Sequence, residues 1–238
     1  MSQEQIKSII PVDKIYDDAL SPAMKQIGKA LENLAKSSRF ILAPIDYIAH
    51  QHDRWERYLQ KVTDKVKNED LIEGHPQIVI PTLEGLNLNY ENTLLTELFI
   101  NLLANSIDRT KQDLAHPAFP NIIKQLSHDE AVILFLLKKR SYKFNLRSDL
   151  NVEGTMVINE VTTLEEFPLD TLQFPEHLPI YMNHLDSLNI AGAFVNNKEY
   201  IYDKNNKPTG INSYNERRII DFGELFVTSC VPDNFENL

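Results

Sequence analysis

The sequence predicts a mainly α protein, with an N-terminal helical bundle to about residue 140 and a smaller α+β unit behind it. Three observations carry that expectation. Apolar residues recur at steps of three and four through most of the first 140 positions, as amphipathic helices require. Proline-bearing breaks divide this stretch into helix-sized pieces. Past residue 140 the texture shifts to β-branched and aromatic runs with Asn-Asn pairs among them, the composition of strands and turns. The expected organisation is a helical region over 1–140 and an acidic α+β region over 141–238.

The first stripe is Leu20, Met24, Ile27, Leu31 and Leu34, with Ser21-Pro22 placed as N-cap and first helical residue. Pro44 interrupts the denser run Phe40–Ile48. A second stripe then follows through Ile48, His52, Trp55, Leu59, Val62 and Val66, opposite a charged face. Ile78-Val79-Ile80, between Pro76 and Pro81, is too short for periodicity to separate a strand from the start of a helix. Residues 90–110 carry Leu94, Leu95, Leu98, Phe99, Leu102, Leu103 and Ile107, the widest apolar face in the chain and its expected core helix. A short helix is expected over 121–126. Ser127-x-x-Glu130 has the form of a capping box opening a helix that ends in Lys138-Lys139-Arg140, where cations suit the helix dipole.

Strand composition marks residues 155–161. A helix is expected over 180–188, then a strand pair over 193–202 and 217–222 joined by a polar loop containing Pro208 and Gly210. Helix, helix and β-pair in that order invite comparison with a winged helix. DNA-binding winged helices present Lys and Arg to phosphate, however, and residues 141–238 hold 7 Lys+Arg against 15 Asp+Glu. Nucleic acid is therefore a poor partner, and a protein partner is the better expectation. A homo-oligomer is compatible with the sequence.

Chemistry is sparse. No glycine-rich phosphate loop, zinc spacing or hydrolase motif is present, so no cofactor, metal or catalytic residue is assigned. His50 and His52 stand two apart, and on a helix their rings diverge. Cys230 is the sole cysteine; its apolar neighbours Val227 and Val231 favour burial over reactivity. The candidate site is a polar stripe. Glu97, Asn101, Asn105 and Asp108 lie at steps of four, four and three on an otherwise apolar helix, with His116 in the turn beyond. Such a stripe is either a hydrophilic groove able to bind a cation or move protons, or a structural network; the bland reading is favoured because amides catalyse poorly. The opening residues lack a secretory h-region and no window is apolar enough to span a bilayer, so a cytoplasmic location is expected. One amphipathic segment, 25–48, carries Lys25, Lys29, Lys36 and Arg39 beside Phe40, Ile41, Leu42 and Ile45, and is a candidate for lying on a membrane surface.

Four stretches together resemble the abortive infection alpha (Abi-alpha) family. They are Ile15–Leu20 with Pro22 and Gly28–Leu31; Leu42-Ala43-Pro44; Leu98–Asp108; and His116–Phe119 through Ile122–Ala131, where His128 replaces a frequent proline. The resemblance implies an association with phage resistance by growth arrest of infected cells, and it assigns no biochemical activity. Three functions stand as expectations: a phage-defence factor working through protein contacts, a membrane-interface effector using 25–48, and a cryptic hydrolase or nuclease. The last requires Glu97, Asp108 and His116 to converge.

Overall fold

The structure, a computed structural model, describes residues 54–55 and 57–235. The stripe Leu20–Leu34, the break at Pro44, His50, His52 and the segment 25–48 lie outside the described residues. The chain divides into two compact units, one of Met1–Leu126 with Thr228–Asn237 and one of Ser127–Val227 with Leu238.

Helix α1 of the first unit, over 57–63, buries Tyr58, Leu59 and Val62, with Trp55 before it and Val66 after it also buried. The ambiguous run around Ile78 is helical: α2 spans Pro76–Leu88. Pro76 opens it with its absent N–H among the unpaired amides of the first turn, and His75 Nδ1 accepts from the Gln77 amide at 3.3 Å. The helix runs on through Pro81 because burial of Ile78, Val79, Leu83 and Leu86 outweighs one missing ladder bond. Its C-terminus is closed by the Arg54 guanidinium, which donates to the carbonyls of Leu86 (2.7 Å), Asn87 (3.1 Å) and Asn89 (2.7 Å). Helix α3, Leu94–Ser106, starts at Thr93, whose hydroxyl accepts from the Thr96 amide. It buries Leu98, Phe99, Ile100, Leu102 and Leu103 completely. Helices α2 and α3 approach closely at Gly85, where a Cβ would lie 2.3 Å from the Phe99 ring. The short α4, Phe119–Ile123, packs against both.

In the second unit, α5 spans His128–Leu137 behind a complete capping box: Ser127 Oγ accepts from the Glu130 amide, and Glu130 Oε2 accepts from the Ser127 amide. Four strands follow, β1 (Tyr142–Leu150), β2 (Val157–Glu165), β3 (Ala191–Tyr202) and β4 (Pro208–Ile219), with α6 (Leu178–Ser187) between β2 and β3. They form one antiparallel sheet in the order β2-β1-β4-β3. Helix α7, Asp221–Cys230, follows directly and ends among residues of the first unit.

This corrects the mainly α expectation. The described residues form an α+β fold, and neither an N-terminal helical bundle nor a two-stranded wing describes it. Strand β1 was not anticipated although Tyr142, Phe144 and Leu146 alternate with Lys143, Asn145 and Arg147 as a strand facing two environments does. Pro208 and Gly210 belong to β4 rather than to a loop, and residues 221–222 open α7 instead of closing a strand. Pro208 is tolerated because it is the first residue of its strand. The Asn196-Asn197 pair marks no turn; it sits at a register shift inside β3. Asn206 does turn the chain, at φ 59° between β3 and β4.

Candidate functional site

The polar stripe of α3 is occupied by the protein itself. Asn101 Nδ2 donates to the Cys230 carbonyl at 2.9 Å, and Asn105 Nδ2 donates to the Ser229 carbonyl at 2.7 Å. Both acceptors are among the last carbonyls of α7, which have no partner within their own helix. The i, i+4 spacing of the two asparagines therefore serves as a two-rung cap for a helix end more than 120 residues away in sequence. Glu97 pairs with Lys61 at 2.6 Å. Asp108 is buried, accepts from both the amide (2.8 Å) and hydroxyl (2.7 Å) of Thr110, and lies 3.8 Å from Lys111. His116 Nδ1 accepts from the Ala118 amide at 3.1 Å and its ring leans on Phe119. Glu97, Asn101, Asn105, Asp108 and His116 thus each have a structural partner; Asn101 and Asn105 alone share one target, the α7 terminus. Cys230 is fully buried.

A second polar cluster, in the other unit, went unnoticed in the sequence. Asp129 and Glu130, both buried, stand in the first turn of α5, where the helix dipole favours carboxylates. Asp129 accepts from the amides of Gln173 and Phe174, each at 2.9 Å, and from the Tyr181 hydroxyl. Burial pushes the Tyr181 phenol above its ordinary value, and the adjacent Asp129 carboxylate adds to this. Glu130 Oε1 meets His184 Nδ1 at 2.5 Å. The carboxylates thus hold the 173–174 loop and α6 to the start of α5. The capping-box spacing identified Glu130, but nothing local signalled His184, 54 residues on.

The sheet presents a further surface. Cα register places Phe144, Leu146, Ser148 and Leu150 of β1 on one face with Arg217, Asn215, Ser213 and Ile211 of β4. At one end of that face Tyr142 and Ile219 are buried, and Arg217 forks onto Glu165 at 2.7 and 2.9 Å while stacking over Phe144. Toward the other end the same face carries Val157, Tyr200 and Tyr202, and Val195 lies in the row of Phe144; these four are 52–55% exposed, while Val161 and Leu164 are exposed on the opposite face.

Among the described residues no group of three or more His, Cys, Asp or Glu side chains is placed to hold a metal ion. No helix among them is long and apolar enough to cross a membrane.

Fold and site together define a two-unit α+β protein whose conspicuous polar side chains are committed to internal caps and whose open feature is a sheet face. The family of abortive infection alpha proteins has a model that matches residues 50–230, and this chain belongs to that family. No curated protein and no solved structure matches the chain.

Proposed function

We propose that this protein is an abortive-infection-type phage-defence factor that acts through protein contacts. Family membership supports the defence role. The contact mode rests on one observation: an antiparallel sheet with four large apolar side chains about half exposed on a single face. Val157 stands on β2 and the other three on β3, the two edge strands of the sheet, and exposed apolar surface supports an interaction site there. The candidate stripe supports the same reading from the other direction, because its amides and carboxylates are engaged in holding helix ends and turns.

Phage challenge of cells with and without the gene tests this reading, with Val157→Asp and Tyr202→Asp on the sheet face set beside Asn105→Ala and Asp108→Ala on the stripe. Protection lost in the face variants at normal protein level, and retained in stripe variants that still fold, is the expected pattern. Full protection by both face variants would remove the contact reading.

A further inference from the structure

We draw no further inference here: the strongest candidate, the patch of exposed apolar side chains Val157, Tyr200 and Tyr202 toward one end of the sheet, carries none because nothing in the structure shows what covers it.

Discussion

Replacing Asn105 by alanine and by aspartate separates a cap from a surface polar group. In the wild type the amide donates to the Ser229 carbonyl at 2.7 Å, at the C-terminal end of α7. Alanine removes the donor and leaves a carbonyl without its protein partner; the lost bond and the stranded acceptor together cost about 2 kcal/mol. For a chain of this size that lowers Tm by roughly 4–8 °C. Aspartate is nearly isosteric but puts a carboxylate against the negative end of the helix dipole, adding about 1 kcal/mol once ionised. The two variants therefore differ in pH dependence. Asn105→Asp loses stability as pH rises through the carboxylate range, because its folded-state pKa is raised and the ionised form is disfavoured, whereas Asn105→Ala keeps the wild-type profile. Urea denaturation between pH 4 and 8 reads both effects. Equal stability of the two variants at every pH would show that this side chain does not face the α7 terminus, and the two-rung cap would fall with it.

Glu165→Gln strips the charge partner from the buried, forked Arg217 and is expected to cost roughly 3 kcal/mol by chemical denaturation, more than any fully exposed ion pair here. Gly85→Ala drives a methyl into the Phe99 ring; overpacking of this kind costs about 1–3 kcal/mol, seen as a lowered urea midpoint with the slope unchanged. The Arg54 clamp on three carbonyls predicts that Arg54→Ala costs about 2 kcal/mol and speeds amide exchange at the end of α2, with Arg54→Lys rescuing only part. Hydrogen bonding from Ser141, then from Asn196, holds the Glu216 carboxyl below its ordinary value. That contribution is complete above the ordinary carboxylate pKa and is lost as pH falls through the depressed one. Ser141→Ala should therefore raise the acid-unfolding midpoint while leaving stability at neutral pH less affected than replacement of a buried residue, as circular dichroism against pH would show.

Local signals were readable where the chain satisfies itself within a few residues. Ser127 and Glu130 answer each other three positions apart, and the structure has both halves of that box. The stripe from Trp55 to Val66 and the apolar face from Leu94 to Ile107 are buried as their periodicity requires. Strand β1 carries an equally local signal, an alternation of apolar and polar side chains, but it begins two residues after the helix-ending cations Lys138-Lys139-Arg140, whose charge masks the boundary. Helix α7 hid behind its short length: ten residues beginning at Asp221, opening on an acidic first turn that also resembles a loop.

Helix capping, amphipathic faces, the burial of Cys230 and membership of the abortive infection alpha family were determined by the sequence alone, since each depends on residue types at fixed short spacings or on order along the chain. Only the tertiary structure decided what the α3 stripe is for, which carboxylate holds His184, and that two hairpins join into one sheet with an open face. The physical reason is the range of the interactions. An asparagine at 105 has the same helical neighbours whether it faces water, an ion or the end of another helix, and a strand has the same alternation whichever strand lies beside it. The choice is made by partners brought close through the packing of the whole chain.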